Sequence, residues 1–176
     1  MGDLEDGLRG FSDPEQAMEN TWPKDWDSSE IEIHKGALEF DAIVSGALRS
    51  DFQKTRIEMM CERLDVRSFS PLWHNSSDSH MDSLYKHGFD VRIASVSSEG
   101  LGAEWLGTSL GREGVERLRE LSRKYRFNID GEGGEFETLV LAAPYMQRTI
   151  QEDGDVVWEG RRGVWNIKYA SLTSVR

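Results

Sequence analysis

Positive charge, cysteine and long apolar runs are what this sequence has least of. Its 32 Asp and Glu residues face only 21 Lys and Arg, a formal net charge of −11. Sequence-independent binding to nucleic acid is driven by Lys and Arg displacing counterions from phosphates, so this balance argues against a direct nucleic-acid role. The single Cys61 cannot close an intramolecular disulfide, and no Cys/His pair has the spacing of a zinc site, which fits a reducing cytoplasm. The longest uncharged apolar stretches, such as Leu139 to Pro144, fall far short of the roughly 20 residues that cross a bilayer. No basic stretch followed by an apolar run opens the chain. The expectation is a soluble, cytoplasmic protein that is neither exported nor embedded in a membrane.

What is present fits a globular α/β protein. At 176 residues and 38% hydrophobic, the chain can bury a core and is too apolar for full disorder, so it reads as one domain or two small lobes. The charge is unevenly placed. Residues 1–30 hold nine acids and two bases, a net of −7, and the remaining 23 acids and 19 bases give only −4. Residues 1–36 therefore read as an acidic, weakly ordered leader, punctuated by Pro14, Pro23 and glycines. Its one short helix begins at Asp13-Pro14-Glu15, with Asp as N-cap and Pro at the first helical position.

From residue 37 to 144 short strands alternate with amphipathic helices. Asp41 to Ser45 reads as a strand. Ser50 with Gln53 has capping-box spacing, and Ile57, Met60, Cys61 and Leu64 form one helical stripe, with Cys61 buried and inert. Arg67 to Ser70 is a second strand. A helix from about Asp78 to His87 closes at Gly88, a strand carries Phe89, Val91, Ile93 and Val96, a charged helix spans Arg112 to Arg126, and Phe127 to Asp130 reads as another strand. Residues 145–176 form a β-rich extension packed on that domain. There Tyr145 to Gln151 and Val156 to Glu159 flank an Asp153-Gly154 hairpin turn, and Gly160 to Gly163 turns into a strand from Val164 to Ala170. Trp158 and Trp165 read as packing residues, and His74, His80 and His87 as polar surface. The fold class is α/β, a partial parallel sheet flanked by helices with a β-rich C-terminal extension.

Two stretches could carry chemistry. In Gly131-Glu132-Gly133-Gly134-Glu135-Phe136-Glu137-Thr138, three glycines let backbone approach a ligand, while three carboxylates within six residues call for positive charge nearby. A metal ion, an ammonium substrate, an arginine from elsewhere or plain solvation would each satisfy them. In Ser45 to Glu58, a Gly-containing loop leads from a strand into a helix start, where free N–H groups and the helix dipole favour anions, with Arg49, Lys54 and Arg56 adding charge. Packing alone also explains such a junction.

Together these stretches resemble the diphthine-ammonia ligase family, an ATP-pyrophosphatase branch of the adenine nucleotide α-hydrolase-like superfamily with a Rossmann-like fold. The matching residues are Ser45-Gly46-Ala47, the run from Ser50 through Lys54, Arg56-Ile57-Glu58, Cys61, Arg63-Leu64, Pro71-Leu72-Trp73, Gly100-Leu101, Leu106-Gly107, Gly131 to Thr138, and Pro144, within about residues 40–150. The resemblance implies a two-step amidation. ATP, as its Mg²⁺ complex, adenylates the carboxylate of diphthine on elongation factor 2, and ammonium displaces AMP to give diphthamide, with pyrophosphate as the other product. It implies catalytic roles for Glu132, Glu135 and Glu137, whose negative field suits diphthine's quaternary cation or ammonium. It implies substrate contacts from Gly131, Gly133, Gly134, Phe136, Thr138 and Trp73, the aromatics offering a cation-facing ring. Gly46, Ser50, Gln53 and Arg56 would lie near the nucleotide, and no residue is assigned to a resident metal.

The sequence departs from the family in lacking the Ser-Gly-Gly-x-Asp-Ser loop that holds ATP phosphates; only Ser45, Gly46 and Ser50 resemble it. A truncated chain start, a split enzyme with a separate N-terminal-half subunit, or a degenerate relative that binds without catalysing would each account for this. Apolar sheet edge left open by the missing half is expected to be covered by the leader or a partner, and a homo-oligomer is one way to do so. The rival readings are a non-catalytic substrate-binding subunit and an unrelated α/β enzyme whose acidic triplet holds Mg²⁺.

Overall fold

The computed structural model describes residues 2–22, 24, 28–29 and 31–174 and divides into two compact units, residues 1–73 and 74–176. Pro23, Asp25, Asp27 and Glu30 of the acidic leader lie outside the described residues.

The first unit carries α1 (Gly2–Leu8), α2 (Pro14–Thr21), β1 (Ala42–Val44), α3 (Asp51–Leu64) and β2 (Arg67–Phe69). Asp13 caps α2 as its sequence predicts, accepting hydrogen bonds from the backbone N–H groups of Glu15 and Gln16. Where the sequence predicts one leader helix, α1 is a second. An ion pair holds it to α3, with Arg63 donating to both carboxylate oxygens of Glu5 at 2.6–3.2 Å and Arg9 adding a third cation-to-carboxylate contact. β1 and β2 run parallel, with Val44 opposite Phe69, and Met60 and Cys61 of the α3 stripe are buried.

The Arg63 hydrogen bond, reinforced by Arg9, holds the Glu5 carboxyl below the ordinary glutamate value of 4.5. A carboxylate with a depressed folded-state pKa contributes fully above its unfolded value and loses that contribution as pH falls through the folded one. Amide exchange in α1 is therefore expected to accelerate relative to α3 below pH 4.5. Glu5→Gln should abolish that pH dependence, and an α1-to-α3 ratio of exchange protection that is the same at pH 7 and pH 3.5 in the parent chain would refute the tether.

The second unit carries α4 (Ser77–Lys86), β3 (Asp90–Val96), a 3₁₀ turn (Ala103–Trp105), α5 (Arg112–Tyr125), β4 (Phe136–Ala142), β5 (Arg148–Glu159) and β6 (Arg162–Ser174). Its sheet is antiparallel with order β4-β3-β6-β5, so the parallel character read from the sequence is confined to β1 and β2. The core lies where α5, the 3₁₀ turn and β3 meet. Ile93, Val115 and Leu118 are 0% exposed there, and Trp105 and Leu110 1%.

Three local expectations change. Phe127 to Asp130 is a loop and not a strand; Phe127 and Ile129 alternate because both side chains turn into the core, and no strand pairs with them. The strand of this region is the following one, β4, which runs directly out of the glycine-rich stretch. Asp153-Gly154 is not a hairpin turn but part of continuous β5, opposite a bulge in β6, where Asp153 pairs with Tyr169 and Gly154 with Ile167. A Cβ at Gly154 would stand 2.5 Å from the Asn166 carbonyl oxygen, so glycine is there for the close approach of β6. The turn is Gly160-Arg161, with Gly160 at φ 61° and Glu159 paired with Arg162.

Candidate functional site

The glycine-rich stretch folds as a tight loop between Asn128 and the start of β4. Gly131 sits at φ 74°, and a Cβ there would press 2.9 Å from the Phe136 carbonyl oxygen and about as close to its ring. The loop's backbone donors turn inward. Gly131 N–H donates to the Asn128 carbonyl (3.1 Å) and Gly134 N–H to the Gly131 carbonyl (2.8 Å). The Glu135 carboxylate accepts from Asn128 N–H (2.8 Å) and from Gly133 N–H (2.7 Å), closing the loop on itself. A Cβ at Gly133 would stand 2.5 Å from that carboxylate, which explains this glycine too.

Ser97, just beyond β3, anchors the loop from outside. Its hydroxyl donates to the Gly134 carbonyl (2.6 Å) and its N–H to the Glu135 carbonyl (2.9 Å). Neither Ser97 nor Asn128 carries a motif, and the contact joins positions 37 residues apart, so no sequence signal marks it.

This arrangement sorts the predicted residues. Glu132, Glu137 and Thr138 are exposed; Glu135 is half-buried and engaged with backbone. Phe136, expected to show a ring to a cation, is 4% exposed and belongs to the core beneath the loop. With the N–H groups of Gly131, Gly133 and Gly134 turned inward and the Glu132 and Glu137 side chains exposed, the loop suits a cation better than an anion. Among the described residues, no group of three His, Cys, Asp or Glu side chains is placed to hold a metal ion.

The nucleotide candidates belong to the other unit. Ser50 caps α3, accepting from Gln53 N–H at 3.3 Å, and Gly46, Gln53 and Arg56 are exposed around that helix start. The Arg56 guanidinium lies 5.3 Å from the Phe52 ring centroid. Lys54 pairs with Glu58 and lies 5.4 Å from the Trp73 ring centroid, so Trp73 already faces a cation of its own chain. Nothing stands within 4 Å of where a Gly46 Cβ would be. These residues fit an open contact with a nucleotide, and they do not enclose a phosphate.

A polar network that sequence reasoning missed lies behind the β-rich strands. The Glu152 side chain is 1% exposed and accepts from Arg92 (2.8 Å) and from the Trp165 indole (2.6 Å). Trp165, expected only to pack, is also a donor.

Comparison with known proteins bears on this loop directly. A family model describing the diphthamide synthase C-terminal domain matches residues 76–173, which include all of Gly131 to Thr138. This chain belongs to the diphthamide synthase C-terminal domain family. The diphthine–ammonia ligase of Schizosaccharomyces pombe is 35% identical over 120 residues, covering 68% of this chain and 20% of the relative. Those of Rattus norvegicus and Homo sapiens are 32% and 31% identical over 124 and 128 residues, covering 70% and 72% of this chain and 46% and 48% of the relatives. The chain thus spans from a fifth to about half the length of these relatives. Within this diphthamide synthase domain the matched region is mostly the second compact unit, which holds the glycine-rich loop and the buried Glu152. Among the described residues no helix is long and apolar enough to cross a membrane.

Proposed function

We propose that this chain serves the ATP-dependent amidation of diphthine on elongation factor 2, in the cytoplasm, with the Gly131–Thr138 loop as its contact with the substrate's cation. The observation that carries this reading is the loop's polarity. The N–H groups of Gly131, Gly133 and Gly134 are consumed internally, and Glu132 and Glu137 stand exposed on a glycine backbone that a bulky trimethylammonium group can approach. Within this reading Glu132 and Glu137 supply the negative field, and Glu135 is a positioning residue that holds the loop's shape. Gly131, Gly133, Gly134 and Thr138 form the surface beside them. Gly46, Ser50, Gln53 and Arg56 face the nucleotide, which would supply the activating adenylyl group as its Mg²⁺ complex.

Replacing both Glu132 and Glu137 by Gln is expected to weaken binding of diphthine-bearing elongation factor 2 about tenfold, the scale of two exposed charge contacts, with ATP binding within about twofold of the parent. Titration calorimetry measures both, and unchanged affinity for the modified factor would remove the loop from the site.

Calorimetric titration of the chain with Mg²⁺-ATP tests the nucleotide part of this reading: saturable binding is expected, and an unchanged heat on titration would remove Gly46, Ser50, Gln53 and Arg56 from the site.

A further inference from the structure

The two exposed glutamates of the loop are held in different ways. Glu137 stands on β4, where the ladder to β3 sets it opposite Ser95. Glu132 stands on the turn from Gly131 to Gly134, which lies outside any strand. Both end residues of that turn have positive φ, 74° and 78°, and glycine backbone has several other conformations within reach. The Glu135 carboxylate bonds to Asn128 and Gly133 close the loop on itself. What ties the turn to the neighbouring strand is Ser97, whose hydroxyl donates to the Gly134 carbonyl at 2.6 Å while its N–H donates to the Glu135 carbonyl at 2.9 Å.

Ser97 is itself firmly placed. Before it, Val96 is 1% exposed and pairs with Phe136 on one side and Gly163 on the other. After it, Leu101 is 4% exposed and its N–H donates to the Ser98 carbonyl. Gly100 has φ 91°, and a Cβ there would collide with the Tyr125 ring of α5. The Gly100-Leu101 pair, one of the motifs through which the chain resembles its family, thus closes a short arm packed at both ends, with Ser97 at the loop.

We infer that Ser97 is a positioning residue for the substrate's cation: its hydroxyl fixes the Gly131 to Gly134 turn against β3 and so sets the spacing between Glu132 and Glu137. A trimethylammonium group has no N–H to donate, and its attraction to a carboxylate depends on their separation. Two carboxylates act on it together only if both are held at the right distance. β4 does this for Glu137, and the Ser97 hydroxyl does it for Glu132. Ser97 touches neither substrate nor reacting atoms and acts through Glu132. The inference rests on the reading of the loop as the cation contact.

The test is a mutant cycle on the full chain, read as calorimetric affinity for diphthine-bearing elongation factor 2. Ser97→Ala removes the hydroxyl and keeps the backbone bond to Glu135. It is expected to weaken binding about threefold, the scale of one exposed charge contact, and to leave the affinity for Mg²⁺-ATP unchanged. Adding Glu132→Gln to Ser97→Ala should weaken binding no further, because Glu132 is already out of place, whereas adding Glu137→Gln should weaken it about threefold more. Ser97→Thr should restore the parent affinity, since its hydroxyl can make the same bond. A merely structural Ser97 would not distinguish the two glutamates. Effects of Ser97→Ala and Glu132→Gln that multiply independently, or an unchanged affinity in Ser97→Ala where Glu132→Gln alone weakens binding, overturn the role of Ser97 and leave the loop reading standing. Unchanged affinity in both Glu132→Gln and Glu137→Gln removes the loop reading, and this inference with it.

Discussion

Glu135→Ala is expected to open the glycine-rich loop, lowering stability by about 2 kcal/mol, because two backbone N–H groups lose a charged acceptor at once. For a unit of this size that is a fall in Tm of roughly 10 °C. The proposed amidation should fall by more than tenfold in the same variant, because Gly133 loses the contact that sets its position. Glu135→Gln separates shape from charge. Its single amide oxygen can accept from one of the two N–H groups while its NH₂ faces the other, so it should lose about half as much stability. It should also weaken binding of diphthine-bearing elongation factor 2 more than binding of ATP, whose candidate contacts lie between Gly46 and Arg56. Equal loss of both ligands would count against the assignment, and an Ala variant as stable as the parent would show that Glu135 does not close the loop.

Arg92→Met should cost about 3 kcal/mol, the scale for removing one partner of a buried ion pair. The asymmetry of the pair is the reason. Arg92 keeps about a third of its side chain in solvent, whereas Glu152 keeps 1%, so removing the cation strands a carboxylate that only the Trp165 indole then faces. Glu152→Gln should cost less, about 1 kcal/mol, since its carbonyl still accepts from Trp165 and no charge is left buried. The double variant Arg92→Met with Glu152→Leu should recover most of the loss, because a buried pair exchanged for apolar groups of similar volume is near neutral. Urea unfolding followed by circular dichroism ranks the three, and an Arg92→Met variant within 1 kcal/mol of the parent would show that the pair holds nothing together.

These two effects differ in how far the sequence announced them. Glu135 stands in a conspicuous run, and the residue types alone say that glycine backbone and carboxylates meet there. Its role as the clasp of the loop was not legible, because that depends on Asn128 N–H and on Ser97, which join the loop only when β3 and β4 pair. Glu152 is a sharper case. Beside Asp153-Gly154 it reads as part of an exposed turn, yet β5 runs straight through, and the strand period of two puts Glu152 on the same face as Val156 and its cross-strand partner Trp165. The same holds for Phe127 and Ile129, whose period-2 spacing imitates a strand although each side chain reaches the core from a loop.

By itself the sequence determined the helices that begin with side-chain caps at Asp13 and Ser50, the glycine closing α4, the apolar stripe of α3, and the loop that marks the family. All of these depend on residues within a few positions of one another, where capping, turn chemistry and periodicity act. Only the tertiary structure decided that the second unit's sheet is antiparallel, that Phe136 is core, and that Glu152 is buried against Arg92. Each of those is a meeting of segments distant in the chain, settled by which apolar faces can be buried together and which polar groups must then find partners.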